Sequence, residues 1–531
     1  MKLPGPVLII QYCTLLYSVC TFSLYGSQVD PPNFVKNLSA PTLGITSSSA
    51  ILLWDDFVEP DLQQEDASLT MWRYDIYQDG VKVGSTHRRT YTVKSLEAGQ
   101  TYAFAVSCNM DHVDLSALEV IHVTTKAAGK VFNVRDYGAA GDGKTPDTEA
   151  IQKTINACSK GGTVLVPAGV YLVAPLQLKS DMTLQLQKDA ILRLVPYEAE
   201  KPYPPEGSGV AATNNQSHHR TRALISGYEV HNCTLTGDGV IDANGDTWWP
   251  HFRPPTEEVN GVRRPYTVLF SRSSNILVQG ITMQDPPFHN NILSTVDNAI
   301  YSDVKFLKVS TVRGRNGDGL NPSNSRNILI VGCLFGNQDD SIAIKGRPKA
   351  MSEYITIRDC VFDGHAATGS RPLGFAMGSY PKARHVRMKN CIFIDAISLA
   401  YIKTKPRQQP YSYVDDVRIE NITFVSHRKP SGYRNRGPIT IDEFYYKTDN
   451  DDPAIAKPLT PQTPQFRDIH FRNIHIVNTT GWGIYLCGLA ESPIRQVSFE
   501  NVTVQSKDGM FVENVEGLST QALKVLPCDQ P

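Results

Sequence analysis

Three aspartates on two neighbouring repeats have the side-chain type and the spacing that acid–base chemistry needs. Asp318 is followed 21 residues later by Asp339 and Asp340. An interval of that length is close to one coil of a parallel β-helix, in which successive coils stack about 4.8 Å apart. All three carboxylates would then lie on one patch of one face. Two carboxyl groups with room for a water between them are what hydrolysis of a glycosidic bond with inversion requires.

The crowding of these carboxylates predicts different protonation states for them. Like charges close together raise the pKa of at least one carboxyl and keep it protonated as a general acid, whereas the others stay ionised and can activate water. Three further polar side chains fall on later repeats, where they are candidates to line the same groove: His365, Lys403 and Tyr445.

The chain from Lys130 onward repeats the pattern apolar-x-apolar-x-polar-apolar-x-apolar. Periods of 23 to 31 residues separate most repeats, and such periods indicate a solenoid. Strand-rich repeats without helices between them predict an all-β fold, a right-handed parallel β-helix. The interval of 52 residues between Ile422 and Ile474 predicts two coils, with 439–441 as the intervening strand. Asparagines at the corners, such as Asn421, predict bonds from side chains to the backbone.

A separate unit precedes the solenoid. Short alternating runs predict strands between residues 31 and 126, and Asp79-Gly80 predicts a hairpin between two of them. Tyr102 fits the tyrosine corner of β-sandwiches. This stretch resembles a fibronectin type III domain, so the predicted domains are a β-sandwich over 31–126 and a β-helix over 130–531.

The first residues predict export. Lys2 precedes a mostly apolar segment that ends near Tyr25, which is typical of a secretory signal over 1–26. A retained membrane anchor is the alternative. We expect a secreted protein, extracellular or periplasmic, that is monomeric and has no stable membrane insertion after the signal is removed.

The composition indicates which classes of partner the chain is expected to bind. The formal net charge is −1, with 52 Lys+Arg against 53 Asp+Glu, and no dense basic run is present. Nucleic-acid binding is therefore not expected, because it depends on clustered basic residues. The chain has no Cys-x-x-Cys pair, and we expect neither a metal nor a cofactor. Three cysteines at matching places in successive repeats predict an interior column: Cys333, Cys360 and Cys391.

One motif matches a functional pattern without the structural context that the function needs. Residues 138–145 satisfy the Gly-x-x-x-x-Gly-Lys-Thr pattern of a phosphate-binding loop. That loop needs an apolar strand before it and a helix that starts at Lys-Thr, but here Asn133, Arg135 and Asp136 precede it and Pro146 follows. We interpret the segment as a glycine-rich entry into a capping helix at 148–158.

The residues 132–504 resemble the polygalacturonases of glycoside hydrolase family 28. The entry segment 132–145 matches the family, as do its Asn-x-Asp motif at Asn316-Gly317-Asp318 and its Gln/Gly-Asp-Asp motif at Gln338-Asp339-Asp340. The resemblance implies that Asp339 is the general acid. It also implies that Asp318 and Asp340 position and deprotonate the attacking water, and that Asn316 and Gln338 belong to the substrate site.

Two family motifs are altered. Gly-His-Gly corresponds to Gly364-His365-Ala366, which gives His365 a role in catalysis, or else to Pro372-Leu373-Gly374, which leaves no histidine there. Arg-Ile-Lys corresponds to Tyr401-Ile402-Lys403, so the bidentate arginine is missing although Lys403 can still bind a substrate carboxylate. Tyr445 matches the substrate-binding tyrosine of the family.

The resemblance implies hydrolysis of α-1,4-linked galacturonan, the backbone of pectin, with a preference for chain ends. Three alternatives stay open at this point. The substrate is another galacturonate-containing glycan such as rhamnogalacturonan, the reaction is that of a calcium-dependent pectate lyase, or the solenoid binds carbohydrate without catalysis.

Overall fold

The fold was analysed in a computed structural model. It describes residues 35–56, 73–108, 116, 118–198, 223–253, 258–259, 262–346, 350–368, 372–378, 381–404, 412–427, 436–445, 452–478 and 480–527. The predicted signal over 1–26 lies outside these residues. Among them, no helix is long and apolar enough to cross a membrane.

The N-terminal unit consists of two small antiparallel sheets. One contains the strands Val35–Ser39, Ser49–Asp56 and Thr90–Lys94, and the other contains Tyr74–Gln78, Val81–Thr86, Thr101–Cys108 and Val120–Thr124. The predicted hairpin is confirmed, because Asp79 and Gly80 both have positive φ between two paired strands. The predicted tyrosine corner is confirmed as well, since the Tyr102 hydroxyl accepts a hydrogen bond from the Glu97 amide at 2.9 Å.

The rest of the chain winds into a parallel β-helix, as predicted. One of its sheets, here called the groove sheet, has the strands Leu176–Gln177, Ile225–Tyr228, Val268–Ser271, Asn291–Ser294, Leu320–Ser323, Ile342–Ile344, Phe375–Met377, Ala400–Lys403, Ile439–Asp442, Ile484–Cys487 and Met510–Glu513. The other, here called the large sheet, has the strands Val131–Asn133, Asp142–Pro146, Gly162–Val166, Gly169–Val173, Met182–Leu186, Ala190–Leu194, His231–Gly237, Val240–Asp242, Ser274–Gln279, Thr282–Gln284, Asp297–Ser302, Lys305–Leu307, Arg326–Val331, Leu334–Gly336, Ser352–Arg358, Val361–Asp363, Lys382–Ile394, Tyr413–Ser426, Gln465–Asn478, Ile494–Ser506, Val515–Glu516 and Ser519–Pro527. A short antiparallel pair, Glu258–Val259 with Val262–Arg263, projects from one coil.

The apolar repeats become columns of the interior. The register of the large sheet aligns Cys391, Ile422, Ile474 and Val502, all of which are buried. The prediction that 52 residues between Ile422 and Ile474 make two coils is wrong, because these residues are direct register partners. Ile439–Asp442 is the groove-sheet strand of that single long coil and pairs with the strands of the coils on either side.

The corner asparagines form a ladder of side chains. The Asn421 Nδ2 donates to Asn390 Oδ1 at 3.0 Å, and the Asn421 Oδ1 accepts from Asn473 Nδ2 at 3.1 Å. The predicted bonds to the backbone are therefore replaced by bonds between side chains of successive coils. Asn421 has a φ of 56°, a left-handed conformation that Asn tolerates better than most residues.

The N-terminal end of the solenoid is capped by the helix Thr148–Ala157, close to the predicted 148–158. The glycine-rich loop before it is already occupied from within, because the Asp147 carboxylate accepts hydrogen bonds from the amides of Ala140 and Gly141. Those amides are the groups that a bound phosphate would need. The loop therefore matches a phosphate-binding motif in its sequence, but these two amides already donate to Asp147.

The N-terminal unit packs on the outer face of the large sheet. Ile51 and Leu53 share a hydrophobic cluster with Leu277, Ile300 and Val331 of that sheet. Polar contacts surround the cluster: the Arg358 Nη2 donates to the Trp54 carbonyl at 2.6 Å, and the Lys389 Nζ pairs with the Asp55 carboxylate at 2.6 Å. These contacts lie on the large sheet and not on the groove sheet.

The asparagine ladder predicts a difference between two substitutions at one position. Asn421→Ala and Asn421→Gly lose the same side-chain bonds, but only Ala is strained at positive φ, by about 1–2 kcal/mol. We expect Asn421→Ala to lower the free energy of unfolding by about 1 kcal/mol more than Asn421→Gly does, as measured by urea denaturation. Equal losses would show that the backbone at this corner is not strained.

Candidate active site

The register of the groove sheet brings the three aspartates together. Leu320 pairs with Ile342, so Asp318 and Asp340 stand at matching places just before their strands. The Gly319 amide donates to the Asp340 carbonyl at 3.0 Å, which continues the pairing of the two coils to the aspartates themselves. The 22 residues from Asp318 to Asp340 are therefore one coil, and Asp339 lies one residue before the matching place.

Asp318 is buried and surrounded by donors. Its Oδ1 lies 3.1 Å from the His289 Nδ1, and its Oδ2 lies 3.2 Å from the Lys345 Nζ and 2.8 Å from the Asn321 Nδ2. Burial alone would raise the pKa of Asp318, but the charges of His289 and Lys345 and the hydrogen bonds outweigh it. The pKa is consequently held well below the usual value, and Asp318 stays ionised.

Asp339 has the opposite environment. Burial, followed by the neighbouring charges of Asp318 and Asp340, raises the pKa of Asp339 to about 7. Lys403 and a hydrogen bond from the Asp340 amide, 2.9 Å from Asp339 Oδ1, oppose this rise only in part. Asp339 is thus the member of the cluster that retains a proton near neutral pH.

Asp340 is paired with a buried lysine. Both of its carboxylate oxygens lie 3.4 Å from the Lys403 Nζ. Burial raises the pKa of Asp340, and the Lys403 charge opposes that rise. Lys403 is also enclosed by two aromatic rings, with its Nζ 4.0 Å from the Tyr401 centroid and 5.0 Å from the Tyr445 centroid.

These contacts place Lys403 and Tyr445 in the predicted site. Tyr401, where the resembled family has arginine, is buried and supplies a ring face to Lys403. Lys403 therefore contacts a catalytic candidate directly, in addition to its predicted role toward substrate. That substrate role stays a prediction.

Asn316 and Gln338 border the aspartates. The Asn316 Oδ1 accepts hydrogen bonds from the Arg264 Nη2 at 2.9 Å and from the Arg315 Nε at 3.0 Å. The Gln338 Nε2 is buried and has no hydrogen-bond partner among the described residues. Gly317 permits this packing, because a Cβ there would lie 2.8 Å from the Gln338 Cγ.

His365 is not brought to the aspartates. Its side chain is 62% exposed and its Nε2 lies 2.6 Å from Asp395 Oδ2. The register instead pairs Ile342 with Phe375, and the Leu373 amide donates to the Asp339 carbonyl at 3.0 Å. The second alignment, with Pro372-Leu373-Gly374 beside the aspartates, is the one that the geometry follows.

The sequence analysis missed three donors to Asp318: His289, Lys345 and Asn321. His289 was accessible from coil counting, because it precedes Asp318 by 29 residues, the same as the register step from Asn291 to Leu320. Within the described residues, no group of three or more His, Cys, Asp or Glu side chains is arranged to hold a metal ion.

Similarity to known proteins identifies the family of the chain. Residues 158–523 match Glycosyl hydrolases family 28. The chain is 27% identical over 384 residues to an exo-poly-alpha-D-galacturonosidase of Dickeya chrysanthemi, a match that covers 58% of this chain and 61% of that relative. It is 25% identical over 437 residues to a probable polygalacturonase of Vitis vinifera, covering 78% and 82%.

A solved structure shares the fold. The family 28 exopolygalacturonase of Yersinia enterocolitica superposes with a TM-score of 0.66 at 21% identity, covering 94% of this chain and all of that one. The family match makes the chain a glycoside hydrolase, and its fold is a parallel β-helix. The chain belongs to glycosyl hydrolases family 28.

The raised pKa of Asp339 predicts a pH-dependent stability difference. In the unfolded chain an aspartate has a pKa of about 3.9. Between pH 4 and 7 only the unfolded chain releases the proton, so Asp339 destabilises the fold as the pH rises. We expect Asp339→Asn to exceed wild type in free energy of unfolding by about 1–3 kcal/mol at pH 8 and to match it near pH 4.

Urea denaturation at the two pH values measures this difference. Asp415→Asn is the matched control, because Asp415 also begins an adjacent pair of aspartates but contacts Tyr413 and Arg467 on the large sheet. A gain for Asp339→Asn of the same size at both pH values would contradict a raised pKa.

Proposed function

We propose that this chain hydrolyses α-1,4-galacturonosidic bonds with inversion. The observation that carries the proposal is the contrast between two neighbouring carboxyl groups: Asp318 is held by His289 and Lys345, which keep its pKa well below the usual value, whereas burial and neighbouring charges raise the pKa of Asp339 to about 7. A proton donor and a base on either side of a glycosidic bond are the groups that inverting hydrolysis uses. No further reactant than water is needed.

Asp339 acts in one proton transfer of the reaction, and Asp318 and Asp340 act together in the other. Asp339 donates its proton to the glycosidic oxygen as the bond to the anomeric carbon breaks. Asp318 and Asp340 accept a proton from the water that attacks that carbon from the opposite side. The glycan leaves with a new hydroxyl on one product and an inverted reducing end on the other.

A uronate substrate is supported by charge. Lys345 directly follows the strand on one side of Phe375–Met377, and Lys403 ends the strand on the other side. Gly378, which follows Met377, leaves room for the Lys345 side chain, because a Cβ there would lie 3.0 Å from the Lys345 Cγ. The two ammonium groups offset the charges of Asp318 and Asp340, so the cluster does not repel a glycan that carries carboxylates. Action at chain ends is supported by the name of the Dickeya chrysanthemi relative.

A second substrate is favoured by Tyr401. This buried tyrosine stands where the family pattern has arginine, so one bidentate carboxylate donor is missing. Another galacturonate-containing glycan, such as rhamnogalacturonan, is therefore the second candidate.

We also propose export to an extracellular or periplasmic site, supported by the apolar segment that follows Lys2.

The test is incubation with polygalacturonate in the presence of a chelator. We expect wild type to release reducing ends without ultraviolet-absorbing unsaturated products. Asp339→Asn should lower the rate about 10²- to 10⁴-fold, because a general acid contributes that much. Asp415→Asn is again the control. Product sizes then distinguish cleavage at chain ends from cleavage within the chain, since action at chain ends gives short products from the start.

Other results would assign the protein differently. Unsaturated products that appear when calcium is restored would make it a lyase. Cleavage of rhamnogalacturonan but not of polygalacturonate would select the second substrate. Binding of both glycans with no cleavage of either would leave a carbohydrate-binding solenoid.

A further inference from the structure

His289 lies on the coil that precedes Asp318. It stands just before the groove-sheet strand Asn291–Ser294, whose register partner is Leu320–Ser323. Its ring contacts two aromatic side chains, with centroids 3.9 Å from Phe288 and 5.9 Å from Tyr266, and its side chain is only 14% exposed. Three coils in a row thus contribute to the site, rather than the two that the aspartates alone would need.

The contacts of His289 require a proton on its Nδ1. The Nδ1 lies 3.1 Å from the Asn316 carbonyl oxygen and 3.1 Å from the Asp318 Oδ1. A carbonyl oxygen only accepts hydrogen bonds, so Nδ1 must carry a proton. That N–H is shared between the backbone of the Asn316 turn and the carboxylate of Asp318. The same atom therefore fixes the turn and one oxygen of the aspartate.

We propose that His289 is a positioning residue of the hydrolytic reaction, which holds Asp318 in the orientation and charge state from which it accepts the proton of the attacking water. This inference rests on the function proposed above. The histidine that contacts the aspartates therefore comes from the coil before Asp318. The coil after Asp340 has Leu373 beside the aspartates instead, where its amide donates to the Asp339 carbonyl.

The charged groups around Asp318 determine the direction of the expected change. Lys345 favours its ionised form, whereas an ionised Asp340 is a like charge that disfavours it. Asp339 still carries its proton over the pH range in which Asp318 titrates, so it adds no charge there. Loss of His289 leaves Lys345 and the Asn321 hydrogen bond, so the pKa of Asp318 should rise without reaching that of a buried, unpaired carboxyl. The acid limb of the kcat profile then moves to higher pH, because Asp318 must be ionised to act as a base.

Three substitutions separate the Nδ1 hydrogen bond from the rest of the side chain. Asn places an amide N–H near the Nδ1 position, Gln places one near the Nε2 position, and Ala removes both. We expect His289→Ala and His289→Gln to lower kcat about 10- to 100-fold with little change in KM, since hydrogen bonds to charged groups are worth that much. His289→Asn should stay within about threefold of wild type.

The matched control is His385→Ala. His385 also binds an aspartate through Nδ1, at 2.6 Å from Asp416 Oδ2, and also stacks on an aromatic ring, that of Tyr354 at 4.7 Å. It lies in the large-sheet strand Lys382–Ile394. Its loss should leave kcat and the acid limb unchanged, so a general effect of removing a stacked histidine is accounted for.

The kinetic assay uses whichever pectic glycan wild type cleaves. An unchanged kcat and acid limb in His289→Ala would overturn the proposal, and a change confined to KM would make His289 a substrate contact instead. If wild type cleaves no glycan, the proposed function fails, but the positioning role is still tested without substrate. Infrared spectra of ¹³C-aspartate-labelled protein, with Asp318→Asn to assign the band, should show the Asp318 carboxylate titrating at higher pH in His289→Ala. An unmoved band would overturn the inference.

Discussion

The site depends on the strand spacing of a parallel sheet. Side chains at the same place on successive coils cannot be much more than about 4.8 Å apart along the solenoid axis. Asp318 and Asp340 occupy such places, and Asp339 is adjacent in the chain. The register therefore keeps three carboxylates together, and their repulsion together with burial maintains a proton on one of them. A flexible loop would relieve this repulsion, whereas stacked coils do not permit it.

The same rule places the compensating charges. Lys345 follows the Asp340 strand, Lys403 ends a strand two coils further on, and His289 comes one coil before Asp318. Lys345 and His289 contact Asp318, and Lys403 contacts Asp340. In the described part of the chain neither lysine donates a hydrogen bond to Asp339, which keeps the raised pKa. The chemistry of the cluster is consequently a matter of which aspartate has a cationic partner.

Much of this could be predicted from the order of residues. Apolar periodicity predicted the solenoid because each coil buries the same columns, and the interval between Asp318 and Asp339 predicted their proximity. Corner lengths could not be predicted in the same way. Corners project into solvent and tolerate insertion, so the long coil between Ile422 and Ile474 was misassigned and His365 was placed in the site although it lies against Asp395. Motif matching also missed His289, because its contact with Asp318 depends on register rather than on a local pattern.

The measurement that tests this account most directly is the configuration of the first product. Proton NMR during early hydrolysis of an α-linked galacturonan identifies the anomer that forms before mutarotation. Asp339 acting as acid on one side and Asp318 with Asp340 activating water on the other predict that the β-anomer appears first. Initial appearance of the α-anomer would mean retention, which requires a covalent intermediate on one carboxylate and would contradict the roles assigned to all three aspartates.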